Sequence, residues 1–156
     1  MVQRLNIFQI NLLVFLSVFV FAQLAISAEL EINNQERDVG GRVTFAVIIN
    51  DTPDDIDSVE FNVLYDNHIL SFEGWETGSL VSDFVFFNAA VIKGREGIIK
   101  VAGFTNSHIA SGLSGEIVRL EFAVKECTNS LLELVDLSGA VEGFSTIQGH
   151  FKCSAE

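Results

Sequence analysis

Four acids fall within seven residues, Asp51, Asp54, Asp55 and Asp57. Carboxylates at that density are the ligands a Ca²⁺ ion gathers. Their spacing is not the alternating-Asp order of an EF-hand loop, and Pro53 stands among them. The segment therefore reads first as a solvated turn, with a Ca²⁺ site as the alternative. Asn50-Asp51-Thr52 is also a glycosylation sequon, meaningful only in a host that uses it.

The other reactive types do not assemble into a site. His68, His108 and His150 lie far apart without the H-x-x-x-H spacing of a metal helix. Ser111-Gly112-Leu113-Ser114-Gly115 lacks the Gly-x-Ser-x-Gly frame of a nucleophile elbow. Glu60, Glu73, Glu76, Glu116 and Glu121 could supply a carboxylate pair for glycoside hydrolysis. Strict alternation, however, sends Glu116 and Glu121 to opposite faces of their strand. No nucleophile, base and orienter can be drawn from these residues, so neither an enzyme nor a cofactor is expected.

The two cysteines, Cys127 and Cys153, form an even pair outside the apolar N-terminal stretch, in what reads as the exported part of the chain. In an oxidising compartment such a pair reads as a disulfide, since a metal would want more ligands; two free thiols are the alternative. The bridge would staple the C-terminal tail onto a strand ending near Lys125. Among the aromatics, Phe84 and Phe86 share one side of their run, as buried residues do. Trp75 and Phe87 are the candidates for exposure and for stacking on sugar rings.

The elements that must position these groups are strands. Arg42 to Asn50 alternates, with Val43, Phe45, Val47 and Ile49 on one side. Ser58 to Tyr65 repeats the pattern, placing Val59, Phe61, Val63 and Tyr65 inward and Ser58, Glu60, Asn62 and Leu64 outward. Glu116 to Lys125 opposes Val118, Leu120, Phe122 and Val124 to Arg119, Glu121 and Ala123. Period-two alternation marks a sheet with one buried face. Further runs are 30–33, 68–74, 84–92, 97–104 and 131–136, with one more between Ala140 and Phe151. Turn residues separate them, as at Gly40-Gly41, Asp66-Asn67 and Lys93-Gly94. The expectation is an all-β, antiparallel β-sandwich of eight or nine strands with jelly-roll topology. The body, residues 29–156, reads as one domain.

The order of features resembles a cohesin domain, the receptor module of cellulosome scaffolds. The resemblance runs through Val39-Gly40-Gly41-Arg42-Val43, then Ile56 to Asp66, then Leu70, Phe72, Gly74 and Gly78-Ser79-Leu80. It continues in Ile99-Lys100-Val101-Ala102-Gly103-Phe104 and Gly115 to Lys125. The step Tyr65-Asp66 to Leu70, followed by Gly78-Ser79-Leu80, is its most specific piece. The resemblance implies a non-catalytic, extracellular module in polysaccharide breakdown. One sheet face would receive the helices of a dockerin, a small calcium-loaded module. The positions matching the family's outward Asn and Asp are Ser58 and Glu60, followed by Asn62 and Leu64. The matching polar loop is Thr105, Asn106, Ser107 and His108. The acid is kept in type; the Asn is not, and the loop departs from the family's acidic, glycine-rich form. A direct carbohydrate-binding module and an adhesion-type surface domain are the alternatives.

Charge and leader agree with an exported receptor. The chain has 9 Lys+Arg against 21 Asp+Glu, a net charge of −12. That excludes the basic patches needed for nucleic acid or anionic lipid. Arg4 is the only charged residue before Glu29, and the apolar run from Leu12 to Ala22 ends in Ala25-Ile26-Ser27-Ala28. Residues 1–28 are expected to be a cleaved signal peptide, with an uncleaved anchor as the alternative. Secretion or cell-surface display follows, without a further membrane segment.

Overall fold

The computed structural model describes residues 28–52 and 55–154. The expected signal segment, save Ala28, and Asp54 of the acidic cluster lie outside the described residues. The strands are β1 (Glu29–Ile32), β2 (Gln35–Arg37), β3 (Arg42–Asn50), β4 (Ile56–Tyr65), β5 (Leu70–Thr77), β6 (Phe86–Ile92), β7 (Arg95–Ile109), β8 (Gly115–Val124), β9 (Ser130–Gly139), β10 (Ser145–Ile147) and β11 (Gly149–Cys153). One 3₁₀ turn, Ser79–Val81, is the helical element among them.

They form a five-stranded sheet, β10-β1-β3-β8-β5, and a six-stranded sheet, β2-β11-β9-β4-β7-β6. The all-β jelly-roll sandwich is as expected, but the strands number eleven rather than eight or nine. The excess arises at the two ends. The N-terminal run divides into β1 and β2, and the C-terminal run into β10 and β11, each pair split between the sheets. Asparagine side chains cover the first crossing: Asn33 Oδ1 accepts from the Ala46 amide at 2.7 Å, and Asn34 Oδ1 from that of His150 at 2.8 Å. They satisfy backbone donors where a ladder stops.

Alternation accounts for the interior. Val43, Phe45, Val47 and Ile49 of β3 meet Val59, Phe61 and Val63 of β4 and Leu120, Phe122 and Val124 of β8 in one buried cluster. The Phe122 ring takes edge contacts from Phe45, Tyr65 and Phe72. Burying each such side chain stabilises by about 1.5–3 kcal/mol. Thr52 is the buried polar side chain among the described residues. Its Oγ1 donates to Ala110 O at 2.8 Å and accepts from Leu113 N at 3.0 Å, fastening the β3–β4 and β7–β8 connections together.

β8 breaks strict alternation. Ile117 and Val118 are both buried, because the register with β3 slips between Val47↔Val118 and Ile48↔Glu116. One extra residue inverts parity beyond it. Glu116 and Glu121 therefore lie opposite Ile48 and Thr44, on the same outer face rather than on opposite ones. Arg119 stands between them and pairs with Glu116 at 2.5 Å and Glu76 at 4.0 Å. Cys127 and Cys153 are joined as a disulfide with Cα atoms 5.2 Å apart, tying β11 to the segment after β8.

Candidate functional site

β4 lies inside the six-stranded sheet, flanked by β9 and β7. With Val59, Phe61 and Val63 committed to the core, Ser58, Glu60, Asn62 and Leu64 must project from the other side. Pairing extends that outer face into rows. Phe86 of β6, Phe104 of β7 and Ser58 of β4 make the first. Asn88, Ala102, Glu60 and Ser138 make the second; Ala90, Lys100, Asn62 and Val135 make the third.

Four polar members of these rows, Ser58, Glu60, Asn62 and Lys100, already have side-chain partners. Lys100 Nζ meets Glu60 Oε1 at 2.7 Å, and Asn62 Nδ2 donates to Asp136 Oδ2 at 2.8 Å. Ser58 Oγ donates to Asp57 Oδ1 at 2.9 Å. Asp136 reaches Asn62 because β9 is irregular there: φ is +53°, and two β9 residues oppose one of β4. The apolar members have no such cover. Phe86 and Phe104 are 47% and 48% exposed and stack with centroids 5.7 Å apart.

Thr105, Asn106, Ser107 and His108 are not a loop between strands. β7 continues to Ile109, and these four residues bulge from it opposite the single residue Asp57 of β4. The bulge is internally braced. Thr105 Oγ1 lies 2.9 Å from Ser107 Oγ and accepts from the Ser107 amide at 3.1 Å. His108 Nε2 is 3.3 Å from Asp55 Oδ2. The bulge therefore follows Phe104 at the end of the first row, and Thr105 Oγ1 also donates to Asp83 O at 3.4 Å, turning towards the segment before β6.

The described members of the acidic segment do not converge. Asp51 sits at φ +53°, Asp55 faces His108 and Asp57 holds Ser58. Among the described residues no three His, Cys, Asp or Glu side chains come together as a metal site. Trp75 and Phe87 are each half-buried and pack on one another, 5.6 Å between centroids, where β5 and β6 approach across the sandwich. They are not an open row of rings. Phe84 precedes β6 and packs edge-on against Phe87. Ala89 fixes the parity of β6 by facing the core opposite Val101, so Phe87 turns inward and Phe86 outward. This reverses the expected pairing of Phe84 and Phe86 as buried neighbours.

Sequence reasoning missed Phe86, Phe104, Lys100 and Asp136. The even parity of Lys100 and Phe104 within β7 was a usable signal. Phe86 and Asp136 had none, because a strand apolar on both sides and an irregular strand carry no parity of their own. By contrast, the outer face of the five-stranded sheet is charged, with Arg42 near Glu73 at 3.9 Å beside the Arg119 cluster. A sheet face with an exposed aromatic pair at one end and paired polar groups beside it suits recognition of another surface.

Comparison with known proteins agrees with the fold. A family model described as Cohesin domain matches residues 28–142. Among solved structures, the chain is similar to a non-cellulosomal cohesin from the hyperthermophilic archaeon Archaeoglobus fulgidus. That match has 21% identity and a TM-score of 0.67, covering 83% of this chain and 92% of that one. The seventh ScaB type I cohesin from Pseudobacteroides cellulosolvens matches at 20% identity and TM-score 0.66, over 83% and 94% of the two chains. The sixth cohesin of Acetivibrio cellulolyticus scaffoldin B, solved in complex with a Cel5 dockerin mutant, matches at 18% identity and TM-score 0.68, over 82% and 99%. A search of the curated proteins returns no match.

Proposed function

The chain belongs to the cohesin family, and from that premise we propose that it is an exported receptor module. It holds a dockerin-like helical partner on the outer face of its six-stranded sheet. The domain that binds is residues 29–156, and its work is recognition rather than catalysis. The observation that carries this reading is the exposed Phe86–Phe104 stack at the head of the β4 rows. Apolar rings left open on a flat face gain most when a partner covers them. Two of the similar structures, the Acetivibrio cellulolyticus cohesin and an OlpA cohesin from Clostridium thermocellum, were solved as dockerin complexes.

In this reading the two rings anchor an apolar ridge of the partner helix. Ser58, Glu60, Asn62 and Leu64 supply the surrounding contacts, with Thr105, Asn106 and Ser107 gripping one end. Glu60 and Lys100 set the register of an opposite charge on the partner, since paired rim charges fix orientation more than affinity. Residues 1–28 direct export, and the disulfide suits the oxidising destination. The setting is extracellular polysaccharide breakdown, as the family implies.

Calorimetric titration with Ca²⁺-loaded dockerins tests the reading, on the unaltered protein and on Glu60→Ala and Phe104→Ala. Binding weakened by both substitutions supports it. Binding indifferent to both moves the site elsewhere. No heat with any dockerin, followed by heat with a polysaccharide, replaces the protein partner by a sugar.

A further inference from the structure

The four sheet edges are not alike. β2 and β10 are three residues long, and β2 carries Glu36, ion-paired to Lys152 at 3.5 Å. β5 is guarded by Glu73 and Glu76 and by a register shift between Phe72 and Gly74. Short length, charge and irregularity are the usual protections of an open edge. β6 is neither short nor charged, and its register with β7 runs unbroken from Phe86 to Val91, slipping only at its last residue, between Val91 and Ile92. Its seven residues, Phe-Phe-Asn-Ala-Ala-Val-Ile, contain no charge and no proline, and its partner in the sheet is β7 alone. No hydrogen bond outside the β7 ladder reaches residues 85–92 among the described residues. Val85, Phe86 and Val91 are all exposed, Val85 the most at 63%.

What lies at the ends of this strand says which partner fits. Asp83 precedes it and Lys93 follows it, both exposed. A strand that is neutral along its length, acidic before its start and basic after its end is complementary to itself when reversed. We propose that β6 pairs antiparallel with β6 of a second copy of this chain, centred on Ala89. All seven residues then take part. Phe86 lies across from Ile92 of the other copy, and Phe87 across from its Val91. The Asp83 end of each strand meets the Lys93 end of the other, so the flanking charges attract. A two-fold axis perpendicular to the sheet keeps like faces together. The two six-stranded sheets become one of twelve strands, and the two Phe86–Phe104 stacks look the same way from a single surface. A dimer of this kind presents two recognition faces side by side, and its existence does not depend on what those faces bind.

Sedimentation equilibrium on residues 28–156, which hold both sheets and the whole buried cluster, tests the proposal. At up to about 100 μM, where small interfaces populate, the mass is expected to rise from one chain towards two. Asn88→Lys combined with Ala90→Lys sets two cations on exposed positions that face each other in the pair. It should return the mass to that of one chain with an unchanged circular-dichroism spectrum. Lys93→Glu, placed in a turn where folding is not at stake, should weaken the dimer at least severalfold, and adding Asp83→Lys should recover it. A single-chain mass throughout the range overturns the proposal. So does a dimer that ignores both sets of substitutions, which would locate the contact elsewhere.

Discussion

Phe86 and Phe104 sit in register on neighbouring strands and stack with their planes 23° apart, yet among the described residues each stays about half exposed. Their contrast with Phe122 is instructive. Phe122 is fully buried under three aromatic neighbours and holds the sandwich together. The outer pair contributes little to folding, because much of its surface stays in water, and that surface remains available to a partner.

Replacing Phe104 with alanine should therefore separate binding from stability. The expected loss in partner affinity is on the order of 2 kcal/mol, about thirtyfold. The melting temperature should move by no more than a few degrees. Titration calorimetry and differential scanning calorimetry on one preparation check both halves. A large fall in melting temperature would make Phe104 a structural residue instead.

The disulfide should be worth more than any surface pair. Cys127 and Cys153 are 26 residues apart, and closing a loop of that size stabilises by about 3–4 kcal/mol on the chain-entropy account. Urea unfolding of the paired Cys127→Ser and Cys153→Ser variant should show a midpoint lowered accordingly. Added reductant should bring the unaltered protein to the same midpoint.

Gly78 and Gly74 should respond in opposite ways to alanine. A Cβ at Gly78 would run into the backbone of Glu116 and Ile117, the latter bonded to the Gly78 amide at 2.7 Å. Backbone cannot swing aside, so Gly78→Ala should cost at least about 2 kcal/mol. Nothing lies within 4 Å of a Cβ at Gly74. Gly74→Ala should be neutral within about 1 kcal/mol, helped by a stiffer unfolded chain. Chemical denaturation of the two variants decides it.

Tyr65 should make the domain sensitive to alkali. Burial raises its phenol above the ordinary 10.0, against the opposing pull of backbone hydrogen bonds at Gly97 and Phe72. The folded state then holds a proton that the unfolded chain releases. Stability is complete below pH 10 and falls as pH rises from there through the folded-state value. Tyr65→Phe should remove that part of the loss, seen as a shallower decline in unfolding free energy above pH 10.

Much of the architecture was legible because alternation is a local property. Val43 to Ile49, Val59 to Val63 and Leu120 to Val124 each declare a buried side without reference to any other strand. The outward set Ser58, Glu60, Asn62 and Leu64 followed from the same arithmetic, and the cysteine pair from its even number. The expected polar loop was instead a bulge within β7, because Thr105 to His108 leave and rejoin one strand. The strand count fell short because each terminal run changes sheets midway, at Asn33-Asn34 without a glycine or proline to announce it and again at Gln148.

The amino-acid order alone determined the all-β class, the alternating core and the family to which the chain belongs. Tertiary structure alone decided which phenylalanine of β6 faces water. Phe-Phe-Asn-Ala-Ala-Val-Ile is apolar on both sides, so its parity is set by Ala89 meeting Val101 across the ladder. It also decided that Glu116 and Glu121 share a face, since one inserted residue at Ile117 inverts every side chain beyond it. Alternation defines two faces only relative to each other. Which of them is buried, and where the count slips, depends on partner strands distant in sequence.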